Sequence, residues 1–238
     1  ALEILVGLIG SQKRWRTMPW LVTLFGIMIV PLGIVSITFI IIQPILLGTW
    51  CTVCLIAAAA MLIQIPYSLD ELLATGQFLK RRHDAGKPVL KIFFTGDTDE
   101  GKPQTTDDNF EQKPGDILRE FFRGGVDLPW NLALCILLGI SLMFTRVTLG
   151  HEGNMANWDH LIGSLIVTVS VCALAEMARP VRFLNIPLAS VLLITPFVFD
   201  VSGLSVALTF IVAVALIALS IPRGPIHSQF GHWNRYLV

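Results

Sequence analysis

Cys51 and Cys54 stand three residues apart at the start of an apolar run, in the stretch GTWCTVCLIAAAA. Residues at this spacing share one face of a helix, so the two sulfurs can close into a disulfide or open into a dithiol with little movement. Cys51 lies in the first helical turn, where the helix dipole favours a thiolate over a thiol. The pattern therefore predicts two-electron thiol–disulfide chemistry, with Cys51 as the nucleophile and Cys54 one turn deeper.

Two other roles can be considered for the same pair, namely packing in a helix core and binding of zinc. A free cysteine packs as a compact hydrophobe, so both residues also suit a helix core. A tetrahedral zinc site needs four ligands, and no second Cys-x-x-Cys or pair of histidines follows, so we expect no metal. Cys135 and Cys172 stand alone within apolar runs, and we expect them only to pack.

The composition is that of an integral membrane protein, with 54% hydrophobic and 14% charged residues. A helix needs ~20 mostly apolar residues to cross a hydrocarbon core of about 30 Å. We therefore expect an all-α, polytopic transmembrane helical bundle of about six spans, preceded by a partial helix at Ala1–Gly10 whose start lies upstream. The predicted spans cover residues 20–47, 50–66, 129–149, 159–178, 184–201 and 204–221.

Charge and turn residues divide the chain into a redox hairpin, a polar and partly disordered loop, a four-helix membrane bundle and a tail. The corresponding ranges are 1–68, 69–128, 129–222 and 223–238. Within the loop, we expect amphipathic segments at residues 70–82 and 117–123. Residues 89–94 fit either a short strand or a segment lying on the membrane surface.

The distribution of basic residues predicts the orientation. If the patch around Lys13 is cytoplasmic and each span crosses once, all of the 17 Lys and Arg residues except Arg146 lie inside, as the positive-inside rule requires. The long loop, the turn at residues 179–182 and the C-terminus are then cytoplasmic. The Cys pair faces the oxidising side, which in bacteria is the periplasm.

The hairpin IIIQPILLGTWCTVCLIAAAAMLIQIP resembles the last two helices of the vitamin K epoxide reductase family, over roughly residues 1–68. The resemblance places Cys51 and Cys54 at the family's membrane Cys-x-x-Cys. It implies that a quinone, ubiquinone or menaquinone, accepts electrons from this pair. It also implies a periplasmic thiol–disulfide partner, such as a thioredoxin-fold oxidase, in the inner membrane of a bacterium.

The family's outer loop, with its second, shuttle Cys pair, has no counterpart in this sequence, and we expect it upstream of Ala1. Residues 157–221 are similar to the SPW-repeat membrane proteins through WDHLIG, which begins at Trp158, and ITPFVF, in which Phe197 replaces the motif's Trp. That similarity implies no chemistry.

Several polar and aromatic residues each fit two alternative roles. Trp50 suits a membrane-interface girdle better than stacking on a quinone, and Gln43 fits either a hydrogen bond to a quinone carbonyl or a cap of its own helix. His151, Glu152, Asp159 and His160 offer a metal or proton site, but their spacing fits no ligand pattern. We expect them to be solvated in an outer loop.

Two functions follow. The first is a membrane thiol–disulfide oxidoreductase that passes electrons from protein thiols through Cys51 and Cys54 to a quinone. The second is a non-enzymatic anchoring or assembly module in the membrane, in which the Cys pair is structural or regulatory. The lipid bilayer is a partner in both, and we expect no nucleic-acid partner.

Overall fold

The computed structural model describes residues 14–97, 129–199, 203–222 and 224. Within these ranges the secondary structure is helical without strands, which confirms the predicted all-α fold. The predicted helix at Ala1–Gly10, the segment 117–123 and the end of the tail lie outside the described residues.

The described part before residue 98 consists of α1 (Arg14–Thr17), α2 (Pro19–Ile42), a π-helical turn (Gln43–Leu47), α3 (Thr52–Asp84) and α4 (Val89–Thr95). The part after residue 128 consists of α5 (Trp130–Met143), α6 (Thr145–Thr148), α7 (Gly153–Cys172), a 3-10 helix (Glu176–Leu184), α8 (Asn185–Val198) and α9 (Leu204–Ser220).

The apolar helices make the chain a membrane protein. Among the described residues, four segments are long and apolar enough to cross a bilayer: Pro19–Leu47, Thr52–Asp84, Gly153–Cys172 and Glu176–Val198. Shorter apolar helices cover the other two predicted spans. A helix suits this environment because it satisfies its backbone N–H and C=O groups internally, where lipid offers no partners.

The polar region after the second span is more helical than the sequence suggests. The span predicted to end at Pro66 continues as α3 to Asp84, because the residues that follow Pro66 are mostly good helix formers. Residues 89–94, for which a strand was one alternative, form helix α4. The irregular loop predicted from residue 69 therefore does not begin there.

The turn predicted at residues 179–182 is part of a 3-10 helix, and its two arginines are buried. Arg179 and Arg182 lie in the 3-10 helix and are 0% and 2% exposed. Arg182 donates from Nη1 to the carbonyl oxygen of Arg179 at 3.0 Å, and its guanidinium lies 4.3 Å from the centre of the Phe183 ring. Helix α7 ends at Cys172, six residues before the predicted end of its span at residue 178.

Contacts divide the chain into two compact units, Ala1–Leu24 with Glu71–Leu128 and Phe25–Asp70 with Pro129–Val238. In the first unit, the carboxylate of Asp97 lies 2.9 Å from Lys87 Nζ and 3.4 Å from Arg82 Nε, and its backbone N–H donates to the carbonyl of Arg16. The predicted domain boundaries stay predictions.

The second unit holds two hydrophobic cores. One is formed by α5, α7, α8 and α9, and it includes the fully buried Cys135. The other is built around Ile29 of α2, Leu62 and Ile65 of α3, and Val171 of α7. The hairpin that carries the Cys pair therefore packs in one unit with helices from the C-terminal half.

Candidate functional site

The turn between α2 and α3 carries the Cys pair. Pro44 lacks the N–H that would continue α-helical bonding, and the chain widens into the π-helical turn. Gly48 ends this turn with φ of 65°, a left-handed conformation that glycine adopts without steric cost. Helix α3 starts at Thr52, so Cys51 stands at its N-cap.

Cys51 and Cys54 form a disulfide, with their Cα atoms 5.2 Å apart. The backbone N–H of Cys54 donates to Cys51 Sγ at 3.3 Å, so this sulfur takes the place of an N-cap acceptor. The Cys51 residue is half-buried, whereas Cys54 is exposed. After reduction, the N–H contact and the helix N-terminus both favour a thiolate at Cys51.

Gln43 contacts the backbone of the Cys pair. Its side chain is buried, and its Oε1 accepts a hydrogen bond from the N–H of Cys51 at 3.3 Å. The amide therefore ties the π-helical turn to the start of α3 and does not cap its own helix, which was one of the two readings. Binding of a quinone carbonyl stays a prediction.

Trp50 packs against residues of the C-terminal half. Its ring is stacked with Phe144 at 5.4 Å between centroids and an interplanar angle of 20°. It meets His160 edge-on at 5.2 Å and 79°. The residue remains 37% exposed, so the girdle reading and the quinone-stacking reading both stay open.

The predicted solvation is wrong for three of the four residues named in the 151–160 region. His151, Asp159 and His160 are buried, and only Glu152 is exposed. His151 Nδ1 lies 2.6 Å from Asp159 Oδ2. A buried carboxylate and imidazole need such a partner, because each would otherwise lose its hydration without compensation.

His151 also lines an open pocket of about 290 Å³, together with Leu149, Asn154, Met155, Phe199 and Ser205 among others. Within the part of the chain that the structure describes, no three His, Cys, Asp or Glu residues are grouped to hold a metal ion. Arg146, the basic residue predicted outside, donates to Asn157 Oδ1 at 3.0 Å.

The location of the Cys pair at the N-terminus of an apolar hairpin helix agrees with a comparison against protein-family models. Residues 1–69 match the Vitamin K epoxide reductase family. The match includes Cys51, Cys54, Gln43 and Trp50, and members of this family are quinone-linked in general. It indicates a membrane redox protein and an oxidoreductase in the broad sense.

No curated protein and no solved structure matches the chain. The similarity of residues 157–221 to SPW-repeat proteins therefore stays a prediction. The C-terminal half of the chain, which lies outside the family match, supplies Phe144 and His160 beside Trp50. Their position beside the Cys pair was not predicted, and the one signal for it in the sequence is a histidine where the polar start of α7 gives way to apolar residues.

Proposed function

We propose that this chain is a membrane thiol–disulfide oxidoreductase that passes two electrons from protein thiols through Cys51 and Cys54 to a quinone. The observation that carries the proposal is the Cys51–Cys54 disulfide at the N-terminus of a membrane helix, inside the segment that matches the family. Reversible disulfide chemistry in this position suits exchange between a water-soluble thiol and an acceptor in the lipid.

The first half-reaction reduces the pair. A thiolate of a partner protein attacks Cys51 Sγ, which breaks the Cys51–Cys54 bond and forms a mixed disulfide, with Cys54 leaving as a thiolate. A second partner thiol then attacks the partner sulfur of the mixed disulfide and releases Cys51. The partner gains a disulfide, and the chain gains a dithiol with two electrons.

The second half-reaction reoxidises the pair. Cys54 attacks the quinone ring to form a transient thioether adduct, and Cys51 then attacks Cys54 Sγ to restore the disulfide. The two electrons and the two protons of the dithiol leave on the quinol, so the reaction balances without another reductant. The exposure of Cys54 supports its role as the sulfur that meets the quinone.

Trp50 and Gln43 are the residues proposed to contact the quinone, because both adjoin the Cys pair. Ubiquinone and menaquinone fit this role equally. The proposed location is the bacterial inner membrane with the Cys pair at the periplasmic face, where a thioredoxin-fold oxidase would supply the thiols. The apolar helices support the bilayer as the surrounding solvent.

The test is quinone reduction by the purified chain in nanodiscs, with dithiothreitol as electron donor and a short-chain ubiquinone or menaquinone as acceptor. We expect turnover by the wild-type chain and only the uncatalysed rate for Cys54→Ala. The control Cys172→Ala removes a half-buried thiol elsewhere and leaves turnover unchanged.

Normal turnover in Cys54→Ala would refute the mechanism. Alkylation mapping gives a second readout, because a working pair changes between disulfide and dithiol as the quinone pool is reduced. A pair that stays oxidised or inert under both conditions would instead support a non-enzymatic anchoring or assembly module.

A further inference from the structure

We propose that His160, outside the family-matched segment, is a positioning residue of the redox site and holds the turn that carries Cys51. The effect on turnover rests on the proposed function, whereas the contacts themselves do not. Phe144 assists His160 by stacking on the ring of Trp50.

The first contact is with the end of α2. His160 Nε2 lies 3.0 Å from the carbonyl oxygen of Ile40. In a regular α-helix this carbonyl would accept from the N–H of residue 44, but residue 44 is proline and has none. His160 thus supplies a hydrogen-bond donor at the position where the sequence removes one. The neutral ring carries one N–H, which we assign to Nε2 because its contact is the shorter.

The second contact is with the end of α5. His160 Nδ1 lies 3.4 Å from the carbonyl oxygen of Met143, the last residue of that helix. With the ring proton on Nε2, this is a packing contact and not a hydrogen bond. The buried ring of His160 therefore lies between two helix ends, and it belongs to a third helix, α7.

Two routes connect this ring to the Cys pair. Ile40 precedes Gln43 by three residues, and Gln43 accepts the N–H of Cys51. Separately, the edge-on contact with His160 and the stacking with Phe144 fix the ring of Trp50. Trp50 is the residue before Cys51, so the position of its side chain constrains the backbone of the Cys pair. Small displacements of reacting groups cost large factors in rate, so such fixation affects chemistry.

The test compares two substitutions at one position. His160→Phe keeps an aromatic ring beside Trp50 but donates no hydrogen bond to Ile40. His160→Gln keeps an N–H donor but loses the ring. Phe144→Leu weakens the packing of Trp50 without touching either helix-end carbonyl. The matched control is Ser164→Ala, a buried polar residue one turn further along α7 whose hydroxyl donates only to its own helix, at Leu161.

We expect His160→Phe to lower kcat for quinone reduction by about tenfold with little change in KM for dithiothreitol, and His160→Gln to recover part of that loss. The fluorescence of Trp50 is obtained by subtracting the signal of the same variant that also carries Trp50→Phe. Its quenching by acrylamide should increase in His160→Phe, His160→Gln and Phe144→Leu. Ser164→Ala should change neither readout, even if it lowers Tm.

Wild-type kcat and wild-type Trp50 quenching in His160→Phe would overturn the proposal, as would equal effects of Ser164→Ala. Trp50 quenching and the alkylation rate of Cys51 in the reduced protein need no turnover. If the wild-type chain does not reduce quinone but His160→Phe still exposes Trp50 and speeds alkylation, the oxidoreductase function fails while the positioning role stands.

Discussion

At the scale of single residues, the Cys pair depends on contacts that come from outside its own helix. The sulfur of Cys51 accepts the N–H of Cys54, and the backbone of Cys51 donates to the buried Gln43. If the Cys51–Cys54 disulfide breaks and reforms during turnover, the turn before α3 must keep its conformation while the two sulfurs are apart. Gln43 is suited to that because its side chain bridges the turn.

Substitution of Gln43 tests this bridge. We expect Gln43→Leu to destabilise the protein by about 1 kcal/mol, since it leaves the N–H of Cys51 without its acceptor. The same change should reduce quinone turnover several-fold without abolishing it. Thermal unfolding in nanodiscs and the quinone assay would measure the two effects.

Gln64→Leu is the matched control, because Gln64 lies in α3 and its Oε1 accepts no hydrogen bond from the residues that the structure describes. It should leave Tm and turnover near wild-type values. Equal losses in the two variants would show that the bridge from Gln43 to Cys51 has no special role.

At the scale of elements, α5 and α7 approach closely at two glycines. A Cβ atom on Gly163 would lie 2.6 Å from the carbonyl oxygen of Gly139, and one on Gly139 would lie 2.9 Å from that of Gly163. Small residues at such crossings let helix backbones meet, which is a main source of helix association in lipid. The crossing also sets where α7 presents His160, one turn before Gly163.

We expect Gly163→Ala to destabilise the protein by ~1 to 3 kcal/mol, because the added methyl group meets backbone that cannot rotate away. Gly76→Ala in α3 is the control: a Cβ there has no neighbour within 4 Å, and alanine favours a helix. Thermal unfolding of the two variants measures the difference. A Tm for Gly163→Ala equal to that of Gly76→Ala would contradict the close crossing.

At the scale of the whole molecule, helix α3 joins the two proposed sides of the membrane. It runs from Thr52 to Asp84, and at a rise of 1.5 Å per residue its length is about 50 Å, more than a hydrocarbon core. Its first turn carries Cys54, and its last turn contains Arg81, Arg82 and His83. A basic end on the proposed cytoplasmic side is what the positive-inside rule predicts.

This arrangement predicts sidedness. In intact bacterial cells treated with a reductant, a membrane-impermeant maleimide should label Cys51, the sulfur proposed to meet the water-soluble partner, from outside. A cysteine placed by His83→Cys, at an exposed position, should react only after the inner membrane is permeabilised. Labelling of His83→Cys in intact cells, or protection of Cys51 in them, would contradict the proposed orientation.

The sequence by itself determined that the chain is an all-α membrane protein with a Cys-x-x-Cys at the start of an apolar helix. Hydropathy and residue spacing are local properties, and they are sufficient for those two conclusions. It also led to the family that the comparison with residues 1–69 supports.

Only the tertiary structure decided what surrounds the pair. The contact between His160 and Ile40 joins residues 120 positions apart, and no local pattern encodes such a pairing. The same holds for the burial of Arg179, Asp159 and His151, which look like solvated turn residues in sequence. Polarity predicts exposure only until packing supplies partners, and those partners come from distant parts of the chain.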